Sequence, residues 1–344
     1  MQEQKSSGEQ HGLLKEIQER DIRPWMDLID ELRSHGIHHD VPLPQIAVMG
    51  DQSSGKSSVL EAISGVPFPR GAGLTTRCPV QLILKHLPDG AAWSGKASVA
   101  GRNVQPPGAG PLANPHQVAD AIVRLTEAVT EGAAAAFSTE TITVEIRAPS
   151  VPDLTLIDLP GIVRTATAGQ SIQVIGQVNA LIEHFLRQER TVILAVVPAN
   201  QDIATVDILE RAAEVDPEGR RTIGVLTKPD LVGAGNEGEV LAVAKNERKP
   251  LRLGYVMVRC RNQKELNEGV TSQQAAAREA AFFRNHPHFA DIPPDLRGVR
   301  QLTPKLSNLL VERIKEALPF LKWELEEAAA RAVEELHPLG RTAA

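Results

Sequence analysis

Cysteine is scarce: the chain has two in 344 residues, Cys78 and Cys260. They are too few for a disulfide framework and are not spaced as metal ligands, so they read as free thiols of a reducing compartment. Basic charge is not in excess either. A net charge of −6 argues against a nucleic-acid surface as the main function, and no direct nucleic-acid partner is expected. The opening MQEQKSSGEQHG lacks an apolar signal segment, and no unbroken apolar run is long enough to cross a bilayer. The expected location is the cytoplasm. Apolar material is ample, at 42% of residues, in a chain long enough for one large α/β domain with an appendage or for two domains.

The stretch that organises the chain is Gly50-Asp51-Gln52-Ser53-Ser54-Gly55-Lys56-Ser57. It follows the apolar run Ile46–Met49 and leads into the helical pattern Val59, Leu60, Ile63. The match to G-x-x-x-x-G-K-[ST] therefore has the context the motif needs: buried strand, glycine loop, helix N-terminus. Successive backbone N–H groups and the positive end of a helix dipole form a concavity that fits a phosphate chain. Lys56 adds a point charge on the β- and γ-phosphates, and the Ser57 hydroxyl is placed for Mg²⁺.

Two further motifs follow in order. Leu154–Gly161 is an apolar strand ending in D-x-x-G. Asp158 there can hold Mg²⁺ through water, and the Gly161 N–H can approach the γ-phosphate with no side chain in the way. Thr222–Leu226 reads as a strand that delivers Thr227-Lys228-Pro229-Asp230, a [TN]-K-x-D motif. A carboxylate at Asp230 accepts two hydrogen bonds from the N1–H and N2–H₂ edge of guanine, whereas adenine presents a lone pair at N1. The Lys228 stem can lie along the base. D-x-x-G alone is weak, since it occurs often in turns; the three motifs in this order and strand context point to GTP.

The rest of the chain fits around them. Residues 1–12 are expected to be a disordered lead, and 13–40 a helix with Trp25, Leu28, Ile29 and Leu32 on one stripe. The Gly/Pro-rich loop Pro67–Pro79 carries threonines where a nucleotide switch requires one to close on Mg²⁺. Composition does not separate Thr75 from Thr76, and Thr76 is taken. Gly90–Pro115 is expected to be a surface loop. Strands are expected at Thr141–Ile146 and Thr191–Val197, a helix at Ile172–Gln188, and a second switch at Arg164–Ser171. The strand Tyr255–Val258 ends in Arg259-Cys260-Arg261-Asn262-Gln263, a turn placed to line base and ribose. From about Gln301 to residue 340 the pattern is again helical. The predicted fold is α/β: a P-loop GTPase domain over 41–300 with a mixed, mainly parallel sheet, and terminal helices forming a partial bundle beside it.

These residues carry a resemblance to the dynamin superfamily from about Leu14 to Gly340. It rests on Gly50–Glu61, Leu74-Thr75-Thr76-Arg77-Cys78-Pro79, Asp153–Ile162, Pro198-Ala199-Asn200, Glu214-Val215-Asp216-Pro217 and Arg220–Leu231. Cys78 and Val258-Arg259-Cys260-Arg261 are closer to the interferon-induced Mx branch than to endocytic dynamins. The resemblance implies that Gln52 orients the attacking water. Ser53, with the Gly71 and Gly73 carbonyls, would hold a monovalent cation, K⁺ or Na⁺. Thr76 would bind Mg²⁺ and help position the water, and Asp202 would reach across a homodimer formed through the nucleotide face. Ser58, Arg70, Arg261, Asn262 and Gln263 fall in the implied nucleotide-contacting set, and Arg164 in the second switch. No basic residue near the P-loop is placed to act as an arginine finger in cis.

Val163 and Thr165-Ala166-Thr167-Ala168 depart from the family pattern, and the chain stops before the helical stalk and C-terminal effector segment that family members carry. A fragment or a minimal form is therefore expected. Microtubule, membrane or viral nucleoprotein partners are implied by family only. The expected function is GTP hydrolysis activated by G-domain dimerisation, with nucleotide state relayed to adjacent helices. The alternatives are a GTP-binding assembly scaffold and a membrane-remodelling module.

Overall fold

The computed structural model describes residues 23–33, 35–37, 41–69, 76–102, 104–130, 137–162 and 172–339. The predicted lead 1–12 and the expectations for Arg70, Gly71, Gly73, Thr75 and Arg164 lie outside the described residues. Packing divides the chain into two compact units, Gln45–Ser307 and the combination of Met1–Pro44 with Asn308–Ala344.

The larger unit is built on a nine-stranded sheet. Its strands are β1 (Gln45–Met49), β2 (Val80–His86), β3 (Ser94–Val99), β4 (Gly110–Leu112), β5 (Ile142–Ala148), β6 (Leu154–Asp158), β7 (Thr191–Pro198), β8 (Thr222–Thr227) and β9 (Tyr255–Met257). The order across the sheet is β4-β3-β5-β2-β6-β1-β7-β8-β9. From β6 through β1, β7 and β8 to β9 every pairing is parallel, so those five strands end on one edge. β2 runs antiparallel to β6 with Val80 opposite Asp158, which brings the segment entering β2 to that edge as well. Every residue of β1, β7 and β8 is buried, the pattern of strands covered on both faces, and it explains why polar residues stand only at their ends.

Helices α2 (Lys56–Ser64), α3 (Gln117–Val129), α4 (Ile172–Arg187), α5 (Asp207–Val215), α6 (Glu237–Ala244), α7 (Gln263–Asn267) and α8 (Ser272–Asn285) follow in chain order. On α4, Val178, Leu181, Ile182, Phe185 and Leu186 fall at i, i+3, i+4, i+7 and i+8. This stripe joins Ile193, Ala195 and Val197 of β7 in one apolar cluster.

One expectation is corrected. The stretch Gly90–Pro115 is not simply a loop: it contains β3 and β4, which extend the sheet beyond β5 with Lys96 opposite Glu145 and Gly95 opposite Leu112. Its glycines and prolines suit an edge hairpin. A Cβ on Gly95 would stand 2.5 Å from the Trp93 ring, so glycine there leaves room for the indole. Ala97 and Val99 supply the buried face.

In the smaller unit a helix over 23–33, α1, buries Met26 and Ile29. The last helix, α9 (Val299–Leu339), belongs to this unit from Asn308 on and contributes Leu309, Leu310, Ile314 and Leu321 to the buried set. It is one continuous helix of 41 residues; Pro319 removes a single internal hydrogen bond without ending it. The Lys315 ammonium sits 5.8 Å from the centre of the Trp25 ring, a cation–π contact between the chain's two ends. Arg33 is buried and donates to Pro44 O at 3.4 Å, and burial pushes its guanidinium pKa down to about 10.

Candidate nucleotide site

The loop Gly50–Gly55 leaves the end of β1 and turns into α2. It passes so close to β7 that a Cβ on Gly50 would stand 2.5 Å from Val196 O. Gly55 has φ 106 and precedes α2 with no side-chain cap, so the first-turn amides of that helix have no local acceptor side chain. Ser53 adopts the left-handed conformation at φ 61. Lys56 is buried, and its ammonium donates to Gly50 O at 3.0 Å and Asp51 O at 3.2 Å. Burial lowers its pKa, with Asp158 and then Asp51 opposing the shift. Gln52, Ser57 and Ser58 lie half-buried around the loop.

Asp158 ends β6 beside Val48 of β1. It is fully buried; Oδ2 accepts a long hydrogen bond from Thr76 Oγ1 at 3.4 Å, while Oδ1 has no partner among the described residues. Desolvation raises its pKa to about 6, against the opposing pull of Lys56 and then of the Thr76 hydroxyl. Thr76 thus stands beside Asp158, and Thr75 lies outside the described residues. The D-x-x-G segment is joined directly to the phosphate loop: Ile162 N donates to Gly50 O and Gln52 N to Ile162 O, each at 3.1 Å. A Cβ on Gly161 would stand 2.9 Å from Gln52 Cα and 3.0 Å from Lys56 Nζ, so only glycine allows this approach.

The T-K-x-D loop is fastened to the same turn. Thr227 Oγ1 donates to Ser54 O at 2.5 Å, and Lys228 Nζ to Ser53 O at 2.6 Å. Lys228 is left-handed at φ 55, an uncommon conformation for a side chain of its size, and opens the short turn Pro229–Leu231. Asp230 is exposed on that turn. Asp202 is also exposed, and its Oδ1 accepts from Ala204 N at 2.9 Å, capping the turn after β7. A cavity of about 190 Å³ lies behind these two turns, lined by Ala199, Asp202, Val240 and Arg248 among others. No residue of the phosphate loop reaches it, so it is not the phosphate site.

In the turn after β9 the side chains are already engaged. Arg261 pairs with Glu61 of α2 and donates to Val270 O at 2.7 Å. Asn262 caps α7 by accepting from Glu265 N at 3.0 Å, and Gln263 donates to Asn267 Oδ1 at 2.9 Å. Arg259 pairs with Glu265, and its backbone N–H donates to the buried Glu279 at 2.8 Å. Sequence reading gave no partner to Glu61, Glu265 or Glu279: Glu61 falls inside the quoted phosphate-loop stretch but meets Arg261 200 positions away, and Glu265 and Glu279 belong to no motif. Among the described residues no three His, Cys, Asp or Glu side chains are grouped to hold a metal. A Mg²⁺ held by one carboxylate, hydroxyls and phosphates needs no such group.

A phosphate loop, a D-x-x-G turn and a T-K-x-D turn, on one edge of a mainly parallel sheet and hydrogen-bonded to one another, define a P-loop domain of the guanine-nucleotide class. Comparison with known proteins narrows this. The model described as "Dynamin family" matches residues 46–229, and that described as "Dynamin central region" matches residues 239–344. The chain belongs to the dynamin family. It is 45% identical over 328 residues to the interferon-induced GTP-binding protein Mx of Epinephelus coioides, covering 95% of this chain and 51% of that protein. It is 44% identical over 323 residues to the Mx1 protein of Mus musculus, covering 94% and 50%. With Mx2 of Oncorhynchus mykiss the identity is 45% over 315 residues, covering 91% and 48%. The chain spans about half the length of the curated relatives it matches. Among the described residues no helix is long and apolar enough to cross a membrane.

Proposed function

We propose that this chain binds GTP with Mg²⁺ and hydrolyses it to GDP and phosphate as an Mx-like GTPase. The observation that carries the reading is the direct fastening of the three loops: Thr227 to Ser54, Lys228 to Ser53 and Ile162 to Gly50. Phosphate position and base identity are thereby read by one rigid assembly.

The residue roles follow from placement. The amides of Gly50–Ser58 cradle the phosphates, and the Lys56 ammonium exchanges its carbonyl partners for β- and γ-phosphate oxygens. Asp230 reads the guanine edge, with Lys228 alongside the base. Arg261, Asn262 and Gln263 flank base and ribose through their main chain, since their side chains are engaged elsewhere. Ser57 and Thr76 hydroxyls would hold Mg²⁺ directly and Asp158 through water. The buried Oδ1 of Asp158, unpartnered among the described residues and beside a threonine hydroxyl, fits that donor set. Bound there, Mg²⁺ neutralises charge on the β- and γ-phosphates. Gln52 orients the attacking water in line with the γ-phosphate, and the Gly161 N–H meets the γ-phosphate oxygens.

Activation belongs to the same proposal. Ser53, with Gly71 and Gly73, holds K⁺ or Na⁺, and Asp202, exposed beside the site, contacts a second copy across the nucleotide face. Terminal helices receive the nucleotide state, and the protein acts in the cytoplasm. The test is GTP turnover against protein concentration, with potassium replaced by a large organic cation in a parallel series. Specific activity is expected to rise with concentration and fall without potassium. Flat turnover with GTP still bound would leave a GTP-binding scaffold instead.

A further inference from the structure

Arg261 and Glu61 are separated by 200 positions in the chain and meet in the interior. Glu61 lies in the middle of α2, the helix whose first turn faces the phosphates, and its side chain is 4% exposed. Arg261 lies in the turn that ends β9, and its side chain is 17% exposed. One arm of the guanidinium pairs with Glu61 and the other donates to Val270 O, which leads into α8. The fork is therefore committed in two directions, and the turn on which it stands cannot shift along α2 without breaking a charge-assisted bond.

We propose that the Glu61–Arg261 pair is a strut that sets the distance between the phosphate loop and the turn flanking the base, and so governs how long a guanine nucleotide stays bound. Both residues act as positioning residues; neither touches the nucleotide through its side chain. This rests on the guanine-nucleotide reading above. Four hydrogen bonds hold the T-K-x-D and D-x-x-G loops to the phosphate loop, but all of them lie on the β1, β6 and β8 side. The turn after β9, on the last strand of the sheet, is two strands further from β1 than β7 is. That turn reaches the phosphate-loop helix through this pair.

A buried ion pair could instead serve stability alone, and the experiment separates the two. Removing one partner strands a buried charge, whereas replacing both by apolar side chains of similar volume is often neutral for folding. The variants are Glu61→Met, Arg261→Met and the double substitution in the full chain, read by thermal unfolding and by the dissociation rate of a fluorescent GDP. The double variant is expected to unfold within a few degrees of wild type yet release GDP about tenfold faster. Each single variant that folds is expected to release GDP as fast as the double. A double variant with wild-type stability and wild-type release overturns the strut. So do single effects that multiply in the double, because Arg261 would then act on the nucleotide by itself. A wild-type chain that binds no GDP overturns the guanine-nucleotide reading, and the strut with it.

Discussion

Asp158 offers a quantitative handle on the proposed metal site. Its pKa stands at about 6 because burial penalises the ionised form more than Lys56 and Thr76 favour it. Only the carboxylate can serve a hydrated Mg²⁺, so protons compete with the metal and apparent Mg²⁺ affinity falls by the factor 1 + 10^(pKa − pH). With a pKa of about 6 the loss is about 10% at pH 7, about twofold at pH 6 and about elevenfold at pH 5, the last equivalent to ~1.4 kcal/mol. An ordinary aspartate near ~3.9 would lose under about 10% at pH 5. The stability effect has the opposite sign. A carboxyl whose pKa is raised by folding binds its proton more tightly in the folded state. On this group alone, stability is fully present below about pH 4 and is lost as pH rises through about 6. The assay is calorimetric Mg²⁺ titration of the GDP complex at pH 7, 6 and 5, for wild type and Asp158→Asn. Titration of the nucleotide phosphates is common to both, so the ratio isolates the carboxyl. Parallel pH dependence in the two proteins would refute the assignment.

Three other perturbations bear on separate parts of the site. Asp230→Asn exchanges an acceptor for a donor at the guanine edge, so GTP affinity should fall at least tenfold and xanthosine triphosphate should be preferred; unchanged GTP affinity removes the base-reading role. Gly161→Ala places a methyl 2.9 Å from Gln52 Cα, an overpacking that costs about 1–3 kcal/mol and displaces the residue proposed to orient the water, so single-turnover hydrolysis should slow by tenfold or more. Asp216→Ala strips the acceptor from Arg220 N, Arg221 N and Thr222 Oγ1, held at 2.8, 3.0 and 2.6 Å. Urea unfolding should show a loss of about 3 kcal/mol, and a loss below about 1 kcal/mol would mean that water replaces the carboxylate there.

The sheet core was legible because β1, β7 and β8 are covered on both faces and so are apolar except at their ends. Helix α4 was legible for the complementary reason: its stripe repeats at the helical period, and Ile172–Arg187 ends one residue short of the predicted Gln188. The β3–β4 hairpin was hidden because edge strands tolerate the glycine and proline that signal loops elsewhere. At the site, the phosphate loop, D-x-x-G and T-K-x-D announce themselves because phosphate and guanine chemistry demands fixed residue types at fixed spacing. The bonds that join them leave no such trace. Thr227 to Ser54 spans 173 positions and Thr76 to Asp158 spans 82, and nothing in local sequence encodes a partner so distant. The buried Arg221, whose guanidinium holds Leu186 O at 2.6 Å and Thr191 O at 3.0 Å, is another such tie, joining α4 to β7.

The central claim is guanine-nucleotide hydrolysis at the Gly50–Ser57 loop. Its most direct test is phosphate release from GTP and from ATP, in parallel, by wild type and Lys56→Ala. The account predicts turnover of GTP, little or none of ATP, and loss of GTP turnover in the variant, because the buried ammonium that meets the β- and γ-phosphates is gone. Equal turnover of both nucleotides, or GTP turnover that survives Lys56→Ala, would contradict it.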